Sequence, residues 1–249
     1  MKKNLWLLAL CQGLLSTNNV VFIAINGLVG LELAPFGWMA TLPVMGYVVG
    51  GALSTPLVAA SQARWGRRGS FQLGLVVAFL SAALCAWAAF SANFWLLCAA
   101  TVIAGYYNAN GQLYRFAAAE LTAPAFREKA VSLVLAGGLL GAVAGPNLAS
   151  GTRNLFPVPF AGAYLALMLV ALLAMVCMAG VHFESLPAPA PGAAAPPAGR
   201  PVSALLRQPA FAVAMLGAAL GYGVMNLLMA ATPLAMQVSG FGFDAAALV

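Results

Sequence analysis

Charged residues are scarce in this sequence. Only 6% of its 249 residues are Asp, Glu, Lys or Arg, against about a quarter in soluble globular domains. Hydrophobic residues make up 63% of the chain, and its mean hydropathy is +0.95. A chain of this composition has too little charge to cover a surface in water, which excludes an ordinary soluble domain and indicates an integral membrane protein.

The sequence also has few residues that carry catalysis or bind metals. Its one histidine, His182, ends an apolar run, and neither H-E-x-x-H nor G-x-S-x-G occurs. An intramembrane enzyme is therefore disfavoured, and we predict no catalytic residue, metal site or cofactor. The four cysteines lie inside apolar runs without disulfide or metal-ligand spacing and are interpreted as small buried residues: Cys11, Cys85, Cys98 and Cys177.

Seven apolar runs are long enough to cross a bilayer as helices, which takes ~20 mostly apolar residues. No Asp or Glu lies inside any of them. The predicted fold class is an all-α integral membrane protein. The Lys2-Lys3 start also fits a signal peptide, but the apolar stretch after it is too long and no A-x-A site closes it, so an uncleaved helix is favoured. The runs cover residues 5–29, 38–62, 71–91, 94–118, 130–151, 160–181 and 210–238.

Basic residues fall in alternate loops. The formal net charge of +6 is therefore interpreted as a topology signal and not as a nucleic-acid-binding surface. The opposite loops contain Glu32 and a single Arg153. The positive-inside rule predicts a protein of the inner or plasma membrane with a cytoplasmic N-terminus. The cytoplasmic set is Lys2, Lys3, Arg64, Arg67, Arg68, Arg127, Lys129, Arg200 and Arg207.

The order of the runs predicts three regions. Residues 1–183 are expected to form an N-terminal six-helix transmembrane bundle. Residues 184–209 are rich in Pro and Ala and are predicted to be an extended cytoplasmic linker, because proline lacks the amide donor that a helix needs. Residues 210–249 are expected to form a seventh helix and the start of an incomplete second bundle. Since 245–249 opens one more apolar run, we predict that the chain is truncated.

Two short motifs stand out. Arg64-Trp-Gly-Arg-Arg68 follows the second run, and its arginines Arg64, Arg67 and Arg68 are suited to helix C-terminal carbonyls and carboxylates. Gly66 permits a tight turn there. In the fifth run Gly137, Gly141 and Gly145 recur every four residues and predict a groove for another helix backbone. Pro146 follows and is expected to bend the helix.

These motifs resemble those of the major facilitator superfamily. The loop is similar to the end of the family's G-x-x-x-D-R-x-G-R-R motif, with Ala59 and Ala63 at the Gly and Asp positions. The fifth run is similar to the core of the G-x-x-x-G-P-x-x-G-G motif of drug–proton antiporters, with Ala149-Ser150 in place of its last two glycines. Six helices and a linker also fit the family's six-plus-six plan.

The resemblance implies that the first, fourth and seventh helices line a central substrate cavity. Uncharged polar groups in apolar helices are costly unless they face protein or a wet cavity. We interpret those on these runs as a cavity wall, with interhelical hydrogen bonding as the alternative. Arg115, near the end of the fourth run, is interpreted as snorkelling or pairing with Glu120, and the alternative is that it attracts an anionic group inside the cavity. The cavity candidates are Gln12, Asn19, Asn26, Thr101, Asn108, Gln112, Tyr222 and Asn226.

The predicted function is transport of a small organic solute by alternating access, of the efflux or drug-antiporter type that the resemblance implies. The expected partners are the lipid bilayer and a small-molecule substrate. A coupling proton is a further candidate partner, although no run contains an acidic residue to carry it. The alternative is a truncated, non-transporting membrane protein, or a half-transporter that needs a partner chain.

Overall fold

The computed structural model describes residues 2–183, 204 and 206–240, and these form helices without a β-strand. Most of the predicted linker at 184–209 lies outside the described residues, as does the predicted helix start at 245–249. Short 3-10 turns at Gly37–Met39 and Pro124–Phe126 join some of the elements. The helices in the described part are α1 Lys2–Leu33, α2 Leu42–Phe90, α3 Phe94–Gly111, α4 Tyr114–Glu120, α5 Arg127–Thr152, α6 Ala161–Ala179 and α7 Pro209–Val238.

Five helical stretches among the described residues are long and apolar enough to cross a membrane. One of them has 54 residues, which is enough for two crossings of a hydrocarbon core ~30 Å thick. The all-α membrane fold predicted from the apolar runs is confirmed. The stretches are Lys3–Leu33, Gly37–Phe90, Pro124–Thr152, Ala161–Ala179 and Pro209–Met229.

The second and third predicted runs, 38–62 and 71–91, largely coincide with the two arms of α2, residues 42–65 and 67–90. The sequence predicts a loop at 64–68, but helical geometry continues on both sides and only Gly66 departs from it. Gly66 has φ +69° and ψ 179°, a conformation that a side chain disfavours. The hydroxyl oxygens of Ser61 and Ser70, one from each arm, lie 2.6 Å apart. One glycine therefore replaces the expected loop.

The fourth predicted span, 94–118, is two helices, α3 and α4, with a turn between them. The amide of Leu113 donates to the carbonyl of Asn110, three residues back, at 3.1 Å. This is 3-10 hydrogen bonding, which tightens the end of a helix. Gly111 lies at this end against Leu15 of α1, where a Cβ would come within 2.6 Å of Leu15 Cδ2. The predicted single helix is interrupted at the point where it closes onto α1.

α1 is the centre of the bundle and contacts α2, α3, α5, α6 and α7. Two apolar clusters form the core. One surrounds Phe22, Tyr47 and Tyr164 near the middle of α1, and the other surrounds Phe71 and Tyr114. The outer faces of the helices remain apolar and exposed, which suits a protein whose surface is covered by lipid chains and not by water.

Candidate substrate site inside the bundle

The glycines of the fifth predicted run place α5 directly on α1. A Cβ added at Gly137 would overlap the carbonyl oxygen of Ala9, and one at Gly141 would lie 2.5 Å from the amide nitrogen of Thr17. One at Gly145 would lie 2.9 Å from Val20 Cβ. Since most of these neighbours are backbone atoms, no side chain fits between the helices. Pro146, half-buried, lies within α5 one residue after this contact.

On another side of α1, three of the predicted cavity residues meet. Asn19 Nδ2 donates to Asn108 Oδ1 at 3.3 Å, and Gln112 Nε2 donates to the same oxygen at 3.4 Å. The hydroxyl of Tyr47, from the N-terminal arm of α2, donates to Asn19 Oδ1. We call Asn19, Tyr47, Asn108 and Gln112 the amide cluster. It joins α1, α2 and the end of α3, and all of its members are uncharged.

Tyr47 was not predicted from the sequence. It lies in the second apolar run, which the family resemblance does not assign to the cavity. The available signal was a hydroxyl-bearing aromatic next to Gly46 and close to Gly50 and Gly51. Gly50 and Gly105 bring α2 close to α3, because a Cβ at Gly50 would overlap the carbonyl oxygen of Val102 and one at Gly105 would overlap the amide nitrogen of Gly51.

Other predicted cavity residues are engaged elsewhere. Asn26 is 1% exposed, donates to the carbonyl of Phe22 at 2.7 Å and accepts from the Tyr164 hydroxyl at 2.7 Å. Thr101 is fully buried and donates to the carbonyl of Cys98 at 2.8 Å. The structure does not bring these two side chains into the amide cluster. Gln12 lies beside Gly138 of α5, where an added Cβ would lie 3.8 Å from Gln12 Cγ.

The two candidates on α7 approach the bundle from the side. Asn226 is 4% exposed and donates to the carbonyl of Tyr222 at 2.8 Å, and its Oδ1 is buried without a hydrogen bond to any described residue. Tyr222 is 42% exposed and lies on a helix that packs against α1. α7 therefore carries one unpaired acceptor and one accessible ring, on a helix in contact with α1.

The loop motif forms a separate polar contact at the other end of the helices. Arg67 forms an ion pair with Glu120, its Nε donating to Oε2 at 3.0 Å, and it also donates to Gln62. Arg68 donates to the carbonyl of Ala179, at the C-terminus of α6, at 2.6 Å. Arg64 lies over the ring of Trp65 at 5.5 Å.

Glu120 therefore does not pair with Arg115, which was one interpretation of that arginine. Arg115 instead lies over the ring of Phe116, 5.1 Å from its centroid, and its Nε is buried without a hydrogen bond among the described residues. Gly66 brings Arg67 round to the side of α4, and this backbone reversal gives Glu120 a nearer cation than the arginine on its own helix.

Comparison with known proteins identifies the family. The profile of the Major Facilitator Superfamily matches residues 5–249. The chain belongs to the major facilitator superfamily. The resemblance seen in its two motifs is confirmed, and membership of this family makes the chain an integral membrane protein of a transporter family and not an enzyme.

Two known proteins from this comparison add detail. The chain is 32% identical over 253 residues to the riboflavin transporter RfnT of Brucella anthropi, an alignment that covers 99% of the chain and 62% of that relative. The chain thus spans less than two thirds of the relative's length. The crystal structure of a D-xylose-proton symporter superposes with a TM-score of 0.63 at 19% identity, over 97% of this chain and 63% of the symporter. This second similarity supports the fold alone.

Proposed function

We propose that this superfamily member takes part in transport of a neutral heteroaromatic solute of the flavin class by alternating access. The observation that carries the proposal is the uncharged amide cluster between α1, α2 and α3, with an accessible ring, Tyr222, on the helix α7 that packs against α1. In alternating access, two bundles move around a site near the middle of the membrane. The riboflavin transporter RfnT, 32% identical to the chain, supports the choice of substrate class.

The chemistry of the cluster suits such a solute. A flavin ring is flat and uncharged, and one edge carries carbonyl and N–H groups that match the acceptors and donors of Asn and Gln side chains. Its face can stack on an accessible aromatic ring such as Tyr222. A site of amides and phenols also avoids the cost of placing a charged group within the membrane.

The proposal keeps the predicted topology. Residues 1–183 form the first bundle with a cytoplasmic N-terminus, 184–209 the linker, and 210–249 begin the second. The basic residues of alternate loops support this orientation, because positive side chains favour the cytoplasmic face. Efflux and proton coupling, which the motif in α5 suggests by resemblance, stay predictions.

Ligand binding by the purified full chain tests the proposal. We expect riboflavin to raise the melting temperature in detergent and to lose fluorescence on binding. Xylose is expected to leave the melting temperature unchanged. Asn108→Leu removes the shared acceptor of the cluster and is expected to weaken riboflavin binding at least about tenfold, equivalent to about 1.4 kcal/mol.

The matched control is Gln72→Leu. Gln72 is also a half-buried amide between helices, but it donates to the carbonyl of Met175 in α6, at 2.9 Å. This variant is expected to bind riboflavin as the unmodified chain does. If riboflavin neither binds nor stabilises the folded chain, the flavin assignment is wrong.

A half-transporter is the second candidate function. The residues that the structure describes form one bundle and α7, whereas alternating access needs two bundles. Much of α7 faces outward with large apolar side chains, among them Val213, Leu220 and Leu228. Such a face is suited to further helices.

Riboflavin flux into vesicles separates the two candidates. The chain is reconstituted alone and together with the part of RfnT that lies beyond the aligned region. Flux by the chain alone supports a self-sufficient transporter. Riboflavin binding without flux, with flux restored by the added segment, supports the half-transporter.

A further inference from the structure

We infer that Tyr47 is a positioning residue that fixes the direction of the hydrogen bonds in the amide cluster and thereby selects the edge of the substrate that binds. The inference rests on the proposed flavin-class substrate. Tyr47 itself acts through Asn19, to which its hydroxyl donates.

Tyr47 is anchored in the apolar core. The side chain is 1% exposed, and its ring packs on Phe22 of α1 with centroids 5.0 Å apart. A phenol has one O–H to donate, and here it goes to Asn19 Oδ1. Because the oxygen of Asn19 faces Tyr47, its Nδ2 faces α3 and must act as the donor there.

Asn19 transmits this hydrogen-bond direction to Asn108 of α3. Asn19 Nδ2 donates to Asn108 Oδ1, which also accepts from Gln112 Nε2, so both lone pairs of that oxygen are used. Asn108 Nδ2 and Gln112 Oε1 make no hydrogen bond with any residue in the described part of the chain. An amide nitrogen and an amide oxygen without a hydrogen bond therefore remain, on side chains one helical turn apart.

This pair matches a cyclic imide or lactam, in which a carbonyl stands next to an N–H. The carbonyl would accept from Asn108 Nδ2 and the N–H would donate to Gln112 Oε1. The pyrimidine ring of a flavin has such an edge. Without the Tyr47 hydroxyl, the Asn19 amide can turn over, and the donor and acceptor are no longer held in this order.

The test compares riboflavin with riboflavin methylated at the imide nitrogen, which has the same ring and carbonyls but no N–H on that edge. We expect the unmodified chain to prefer riboflavin at least about tenfold, the effect of one lost hydrogen bond to a group shielded from water. Tyr47→Phe keeps the ring and removes the hydroxyl. It is expected to bring the preference below about threefold.

Tyr164→Phe is the matched control, because Tyr164 is an equally buried tyrosine whose hydroxyl bonds to Asn26, outside the cluster. Its preference should equal that of the unmodified chain. Asn19→Leu interrupts the same hydrogen-bond chain one residue further on and should also abolish the preference. It serves as the second variant if Tyr47→Phe does not fold.

The outcomes separate the inference from the proposed function. Failure of the unmodified chain to bind either compound overturns the flavin assignment. Equal binding of both compounds by the unmodified chain overturns the imide edge while leaving flavin binding in place. If Tyr47→Phe weakens both compounds equally and keeps the preference, Tyr47 only supports the fold and the inference is wrong.

Discussion

The two sides of α1 are built in opposite ways. Toward α5, Ala9 and Gly13 meet Gly137 and Gly141, and backbone touches backbone. Toward α2 and α3, side chains meet between the helices, and the contacts include the hydrogen bonds of the amide cluster. We call these the glycine side and the amide side of α1. The first leaves no space for a ligand, whereas the second has donors and acceptors to offer one.

The two sides of α1 also differ in the interactions that stabilise them. Membrane helices gain no hydrophobic driving force from one another, so close contact of small residues is what stabilises the glycine side. Hydrogen bonds between membrane helices average only about 0.6 kcal/mol. The glycine side should therefore control folding, and the amide side should control binding with a smaller effect on stability.

The largest expected effect is that of Gly141→Val on the glycine side. Its Cβ would overlap the carbonyl of Gly13 and lie 2.5 Å from the amide nitrogen of Thr17, atoms that cannot move without displacing α1. We expect a destabilisation of about 3 kcal/mol or more, seen as loss of the monodisperse peak in size-exclusion chromatography.

Gly151→Val is the control for this prediction. It places the same side chain in the same helix at a position where a Cβ meets nothing within 4 Å. Its elution and melting should match those of the unmodified chain. Normal folding of Gly141→Val would show that α1 and α5 are not in backbone contact.

Asn26→Leu is expected to have the second largest effect. It tests whether all the amide side chains of α1 have the same role. Both polar atoms of Asn26 are engaged within the protein, and the change leaves the buried Tyr164 hydroxyl without its acceptor. We expect a loss of about 1–3 kcal/mol in the free energy of unfolding, measured by thermal melting. Riboflavin affinity of the folded fraction should not change. A loss of affinity would show that Asn26 belongs to the binding site.

Tyr164→Phe should cost less, about 1 kcal/mol, because Asn26 keeps its bond to the Phe22 carbonyl. Combining it with Asn26→Leu gives a double-mutant cycle. The two effects should be less than additive, since both changes break the same hydrogen bond. Additive losses would show that Tyr164 and Asn26 do not interact.

Glu120→Gln has the smallest expected effect and touches neither side of α1. Its carboxylate is paired with Arg67, but the Glu120 side chain is 54% exposed, so water and salt screen the pair. We expect at most about 1 kcal/mol at low salt and a smaller difference at high salt, measured by thermal melting. A larger, salt-independent loss would make this contact a structural element comparable to the glycine side.

Particular residues show how far the sequence could go. The spacing of Asn19, Asn108 and Gln112 on the first and fourth runs identified side chains that do lie together. The same spacing included Asn26, whose partner Tyr164 lies 138 positions away. Periodicity predicts which face of a helix a side chain occupies, but it carries no information on which side chain of another helix will be opposite.

The backbone reversal at Gly66 is a second feature that could be predicted from the sequence only in part. The sequence predicted a tight turn at Gly66 but not that a single residue would make it. That reversal decides which cation meets Glu120, so the ion pair with Arg67 could not be distinguished from one with Arg115 by distance along the chain. Local spacing favours neighbours on one helix, whereas the fold brings in residues from another.

The sequence by itself determined that the chain is an all-α membrane protein of the major facilitator superfamily. Composition, run length and motif spacing are properties of the sequence alone, and the thickness of the bilayer sets the run length that a membrane helix needs. Only the tertiary structure decided which polar residues have all their polar atoms hydrogen-bonded within the protein and which keep unpaired atoms. A hydrogen bond depends on two groups meeting within about 3 Å. Helix packing sets that distance, as it does for Tyr47 and Asn19.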